Sequence, residues 1–198
     1  MIRRPNTRFR KDACVIVAGE HFATRDDVLI ETVLGSCVAV CLRDPAAGVA
    51  GMNHFMLPDC VDSALAGATK SGRYGAHAME LLINEMMGLG ADPRRMQAKV
   101  FGGGNVSRTA NDSMRVGDWN TDFALNFLDT EGIPVVSRDL GGEHGRRIFF
   151  FTREGNVKLR RLGAAEVGTT ADRERHYRAD IVRELPAAGA AARLTLFD

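Results

Sequence analysis

The sequence predicts a mixed α/β domain with strands packed in layers and helices outside. Three observations carry this reading. Short apolar runs of strand character outnumber helical segments. Strand-rich stretches flank two amphipathic helices. At 198 residues and 45% hydrophobic content, the chain can bury one good core, so a single domain is expected.

Residues 1–12 are basic and polar and read as a flexible arm. Ala13 to Gly19 and Val28 to Val33 read as strands. Thr32 to Pro58 reads as a strand, a short turn and a second strand. The turn is Asp44-Pro45-Ala46-Ala47-Gly48, where proline presets φ and glycine closes the turn. Residues 59–73 carry Asp59, Asp62, Ser63, Gly67, Ser71 and Gly72 and read as a loop, placed by the chain to overhang the second strand. Residues 74–89 form a helix, with Ala78, Leu82, Met86 and Leu89 at spacings of three and four. Gly88 and Gly90 stop it.

Met96 to Phe101 is a strand ending in Gly102-Gly103-Gly104. No P-loop lysine follows and no GxGxxG is present, so the glycines read as a close backbone approach rather than a phosphate cradle. Asp118 to Glu131 is the second helix, with Trp119, Phe123 and Phe127 four apart. Ile133–Arg138, Arg147–Thr152 and Val157–Leu162 read as strands. From Gly163 the chain turns charged, then alanine-rich. Residues 171–185 read as an exposed helix and the rest as a tail, making 163–198 an extension to a domain spanning 1–162.

Charge excludes some functions. Twenty-six basic residues against 25 acidic ones leave a net charge of +1. Nothing there supports bulk electrostatic binding to nucleic acid. No apolar run approaches the roughly 20 residues that span a bilayer, and Met1-Ile2-Arg3-Arg4-Pro5 lacks the apolar core of a secretory signal. A cytoplasmic protein without membrane insertion is expected. The four cysteines fit that compartment. Cys37 and Cys41 share a strand, about 13 Å apart at 3.3 Å per residue, too far for a disulfide. With no Cys-x-x-Cys, no metal site and no cofactor are expected.

One pair carries chemistry. An antiparallel hairpin centred between Pro45 and Ala46 sets Arg43 opposite Gly48, Ala39 opposite Met52 and Cys37 opposite His54. Opposed Cβ atoms lie about 4.5–5.5 Å apart on one sheet face. A thiol and an imidazole so placed form a minimal nucleophile–base pair. Most buried cysteines are inert, so spacing alone does not decide. Gly35-Ser36 before Cys37 can turn the chain sharply and expose its amides. His54 and Asn53 are polar groups in an otherwise apolar run. His144, in a glycine-rich loop, is a rival base and ranks below His54.

Leu34-Gly35-Ser36-Cys37-Val38-Ala39-Val40, followed by Met52-Asn53-His54-Phe55-Met56-Leu57-Pro58, resembles the chemoreceptor glutamine deamidases of the CheD family. Lys99-Val100-Phe101-Gly102-Gly103-Gly104 and Asp139-Leu140-Gly141-Gly142-Glu143-His144-Gly145-Arg146-Arg147 continue the resemblance, which covers roughly residues 12 to 162. It implies a β-sandwich-like core of the bacterial deamidating-toxin type, flanked by helices. It implies catalysis by a cysteine, a histidine and a threonine, the first two being Cys37 and His54.

Thr32 is the only threonine on the strand entering Gly35. The family spacing falls one residue earlier, on Glu31. A one-residue shift reverses the face of a strand, so Thr32 is expected to serve only through a bulge near Gly35. A second departure is Gly117-Asp118-Trp119-Asn120, with tryptophan where the family carries arginine.

The function so implied is hydrolysis of receptor glutamines to glutamate through a Cys37 thioester. Gly35, Ser36 and Asn53 would position the reacting groups, backbone amides near Ser36 and Cys37 holding the oxyanion. The implied partners are chemoreceptor cytoplasmic helices and a CheC-type phosphatase. The alternatives are a non-catalytic adaptor docking on either partner, and a cysteine hydrolase of small amides.

Overall fold

The computed structural model describes residues 1–57, 70–106 and 113–184. Among the described residues, ten strands form two five-stranded mixed sheets. The first runs β1 (Ile2–Asn6), β2 (Lys11–Val15), β4 (Leu29–Leu34), β9 (Arg146–Phe151), β10 (Val157–Arg161). The second runs β3 (His21–Thr24), β6 (Val49–Phe55), β5 (Val38–Asp44), β7 (Gln97–Gly102), β8 (Val135–Leu140). Each sheet has one parallel pair, β2 with β4 and β7 with β8.

The layering follows from side-chain alternation. Cys37, just before β5, and Ala39 and Cys41 on it face the first sheet, while Val38, Val40 and Leu42 face two helices. The interlayer core also takes Ile30 and Leu34 from β4, Met52 from β6 and Ile148 and Phe150 from β9. On the far side of the second sheet lie α1 (Lys70–Gly88) and α2 (Ser113–Thr130), packing Met79, Leu82, Phe123, Ala124 and Leu128 against it. The pattern of short strands around two amphipathic helices predicts layered strands with helices outside, and the sheets form the sandwich-like core that the resemblance implies.

Several expectations need correction. Residues 1–12 are not a frayed arm throughout, since Ile2–Asn6 pairs with Lys11–Val15 in an antiparallel ladder. The strand is exposed, so it shows no apolar alternation. Arg3, Arg4 and Pro5 suit an edge that must not recruit another chain. His21–Thr24, four residues long, escaped notice as a strand. The loop expected over 59–73 lies outside the described residues up to 69, and α1 begins at Lys70.

The C-terminal helix is α3 (Ala164–Glu184), longer than expected and not simply exposed. Thr170, Glu174 and Ile181 on it are buried. No helix among the described residues is long and apolar enough to cross a membrane.

Candidate functional site

The hairpin brings Cys37 and His54 to one face, with a register two residues from the one expected. Arg43 pairs with Ala50, not Gly48, and Ala39 pairs with His54, not Met52. The cause is the turn. Asp44 Oδ1 accepts from the amides of Ala46 and Ala47, and Gly48 adopts φ +64°. That Asx-type cap makes a four-residue loop, Pro45 to Gly48, in place of a two-residue one. A slip of two keeps every side chain on its face. Cys37, one residue before β5, therefore stands diagonally from His54 and still shares the interlayer side with it.

Thr32 reaches the same place from the other sheet. β4 pairs with β9 in unbroken register from Leu29 to Leu34, so no bulge exists near Gly35. None is needed. Ile30, Thr32 and Leu34 point inward toward the second sheet, and Glu31 points out to Arg4, Asn6 and Arg147. Thr32 lies across from His54, not beside it on one strand, so the expected face argument compared the wrong surfaces.

The hydrogen bonds fix the imidazole. Thr32 Oγ1 donates to the Ile16 carbonyl at 2.8 Å and lies 2.8 Å from His54 Nδ1. With its one proton committed, the hydroxyl accepts from Nδ1–H. His54 is thereby held in the tautomer whose Nε2 carries a lone pair, and among the described residues Nε2 has no hydrogen-bond partner. Burial lowers the His54 pKa to about 4, against the opposing pull of the Glu174 and Glu20 carboxylates. The ring is neutral near pH 7.

Gly35-Ser36-Cys37 carries the chain from the first sheet to the second. Its back is held by backbone bonds: Gly103 N donates to the Cys37 carbonyl and Gly104 N to the Gly35 carbonyl. A Cβ on Gly102 would fall 2.1 Å from the Cys37 carbonyl oxygen, so this strand end must be glycine. Asn120 of α2 joins the turn to the end of β6, accepting from Leu57 N at 2.7 Å and donating to the Ser36 carbonyl at 2.9 Å. The fully buried Arg146 guanidinium donates to the carbonyls of Gly102, Asp139, Gly141 and His144.

Asn53 lies elsewhere. It sits on the opposite face of β6, accepting from Val40 N and donating to the Ala78 carbonyl of α1. Its neighbour His54 is inward, so alternation forces Asn53 outward. It splices sheet to helix and does not reach the reacting groups. His144 is exposed in its loop and contributes a carbonyl to Arg146.

The front of the turn is filled by Glu174, which sequence reasoning missed. Glu174 Oε1 accepts from Gly35 N at 2.7 Å and Cys37 N at 3.3 Å. Glu174 Oε2 accepts from Ser36 N and Ser36 Oγ, each at 2.8 Å. Cys37 Sγ, a ring nitrogen of His54 and a carboxylate oxygen of Glu174 lie within 4.8 Å of one another. A metal could draw on such a trio, but both carboxylate oxygens are already engaged by N–H and O–H donors. Burial, then the nearby Glu174 charge and its hydrogen bond, push the Cys37 thiol well above its ordinary pKa. A cavity of about 460 Å³ adjoins, lined by Ile2, Val17, Thr32, His54 and Arg147 from the sheet side and by Glu174 and Tyr177 of α3.

What converges is a thiol, a neutral imidazole with a free lone pair, an orienting hydroxyl and three backbone amides that bind a carboxylate. Such a set can attack an acyl carbon and hold the oxyanion that forms.

Residues 56–161 match the family described as "CheD chemotactic sensory transduction". Over 181 residues the chain is 47% identical to a "Probable chemoreceptor glutamine deamidase CheD" of Laribacter hongkongensis, covering 91% of this chain and 87% of the relative. A protein of the same description, numbered 1, from Shewanella oneidensis is 46% identical over the same shares of both chains. One from Bordetella petrii is 51% identical over 158 residues, covering 79% of this chain and 70% of the relative. Among solved structures, a Bacillus licheniformis hypothetical protein YfiH superposes with a TM-score of 0.38 at 14% identity, over 62% of this chain and 49% of that one. A likeness at that level carries no argument. On the sequence matches, the chain belongs to the CheD family.

Proposed function

We propose that the chain is a cysteine-dependent protein-glutamine deamidase acting on chemoreceptors in chemotaxis. The observation that carries this is the amide cradle of Gly35, Ser36 and Cys37, which binds a carboxylate beside the Cys37 sulfur. The family and its relatives' names supply the substrate.

In the reaction, His54 Nε2 takes the Cys37 thiol proton and Sγ attacks the glutamine side-chain carbonyl carbon. The cradle amides stabilise the tetrahedral oxyanion. Collapse breaks the C–N bond, and His54 returns its proton to the leaving ammonia. Water, deprotonated by His54, then attacks the thioester. The products are a glutamate carboxylate and ammonium, and the thiol is regenerated. Thr32 holds the ring so that Nε2 faces the sulfur in both halves.

The substrate segments would be long cytoplasmic receptor helices, the protein would act in the cytoplasm, and a CheC-type phosphatase is a candidate partner. The rival reading is a docking adaptor with an inert cysteine, to which the burial of Cys37 lends support. Intact-mass analysis of candidate receptor fragments separates the two. Deamidation adds about one dalton per site through replacement of NH2 by OH, and Cys37→Ala should remove that gain. A wild-type protein that binds receptor fragments without changing their mass would favour the adaptor.

A further inference from the structure

The occupant of the amide cradle is itself informative. A glutamate side chain is a glutamine side chain after deamidation, atom for atom. Here one is delivered to the cradle by a helix, α3, and both its oxygens take up donors from the three residues of the nucleophile turn. The fit is close enough that a Cβ on Gly35 would lie 2.7 Å from Glu174 Oε2. A carboxylate carries no ammonia to release, so this arrangement has the geometry of an enzyme–product complex made within one chain.

The rest of α3 extends the argument. Thr170, Glu174, Tyr177 and Ile181 are spaced four, three and four apart and form one face. Tyr177 reaches Gly19, where an added Cβ would fall 2.3 Å from the phenol oxygen, and its hydroxyl meets that of Tyr74 on α1 at 2.5 Å. Gly19 N donates to the His54 carbonyl, so the Tyr177 seat adjoins the imidazole strand. The described side chains of α3 that are buried are Thr170, Glu174 and Ile181. Among the described side chains of α3, those that bury it form a stripe centred on the site.

We propose that α3 is a built-in product mimic seated in the groove that receives the substrate helix. The groove then binds a helix presenting a glutamine at the place of Glu174, with a bulky side chain three residues further on at the Tyr177 seat. This rests on the deamidase reading and adds the shape of the substrate and a brake on the site. While α3 is docked, Cys37 is shut from solvent and faces a negative charge, which disfavours its thiolate. Undocking α3 exposes the cradle and removes that charge together. A receptor helix and α3 compete for one seat, and the chain turns over in proportion to the fraction undocked.

The sharpest test is Glu174→Gln in the full chain, which changes one atom and offers the enzyme a glutamine in cis. Peptide mass mapping should show the amide at position 174 converted to the acid, a gain of about one dalton. Addition of Cys37→Ala should leave the amide intact. Retention of the amide in an E174Q protein that deamidates receptor fragments would overturn the inference and leave the functional reading standing. A wild-type and an E174Q protein that both leave every glutamine untouched would count against the deamidase reading itself, and against this inference with it.

Tyr177→Ala tests the brake without touching the turn. Its Cys37 should react with iodoacetamide about tenfold faster than in wild type, and receptor fragments should turn over faster at low concentration. Unchanged labelling and turnover in a Y177A protein of wild-type circular dichroism would also overturn the inference.

Discussion

Thr32 Oγ1 stands 2.8 Å from His54 Nδ1 although the two residues belong to different sheets. The hydroxyl donates its own hydrogen bond to the Ile16 carbonyl and so dictates which imidazole nitrogen is free. Thr32→Ala should leave the ring free to rotate and change tautomer. Turnover is expected to fall about a hundredfold, as for a small misplacement of a reacting group, with KM for receptor fragments little changed. Thr32→Ser keeps the hydroxyl and should restore most of the rate. Equal loss in both variants would mean the methyl, not the hydrogen bond, matters.

Cys37, just before β5, and Cys41 on it are both buried on the interlayer side, and of the two it is Cys37 that adjoins the cradle and His54. Cys37→Ala should abolish deamidation while shifting the thermal midpoint by a few degrees, as expected for about 1 kcal/mol in a domain of this size. Cys41→Ala should lose similar stability and keep its activity. The opposite pattern would reassign the nucleophile.

His54 gives the protein a particular acid sensitivity. Burial holds its folded pKa at about 4, below its ordinary 6.5. A depressed pKa means that the unfolded chain binds the proton more readily. The stability in question is fully present above about pH 6.5 and is lost as pH falls toward 4. The loss amounts to about 3 kcal/mol if the whole shift is realised. His54→Gln should flatten this part of the stability-against-pH curve, measured by urea melts at pH 7, 5.5 and 4. A wild-type curve with no slope between pH 6.5 and 4 would mean that the ring is not buried neutral.

Asn120 ties the nucleophile turn to the end of β6 through both ends of its amide. Asn120→Ala leaves Leu57 N and the Ser36 carbonyl buried without their partner, at about 1–3 kcal/mol each way such groups are usually stranded. Asn120→Asp keeps the acceptor but sets an oxygen against the Ser36 carbonyl. Both variants should lower turnover more than Thr32→Ala does, because they release the turn itself. Melting curves with turnover on the same preparations check this, and a destabilised N120D with wild-type turnover would refute it.

The parts of the fold legible in the sequence were those with one buried face. The α1 and α2 stripes, the valine-rich strands and the glycine turns all announce themselves through period and composition. Exposed β1 and four-residue β3 do not, because neither alternates over enough residues. The Cys37–His54 pairing was legible for a reason that tolerates error. The Asp44 cap moved the register by two, and a sheet forgives even slips. Thr32 was harder, since strand parity says which face a residue takes but not which sheet lies opposite that face. Glu174 was illegible from local pattern, being one acid in a highly charged stretch 137 residues after Cys37. The stripe Thr170, Glu174, Tyr177, Ile181 was its only trace.

The bond between Thr32 and His54 also makes the thickness of the sandwich a catalytic variable. Ile30, Leu34, Met52, Ile148 and Phe150 act as spacers between the layers. A hydrogen bond weakens steeply with geometry, whereas a packed core accepts the loss of a methylene for about 1 kcal/mol. Ile148→Val would thus be a mild change for the fold and a larger one for the chemistry. Selection on these side chains then follows the calibration of a gap, and residues that never meet the substrate inherit the site's intolerance.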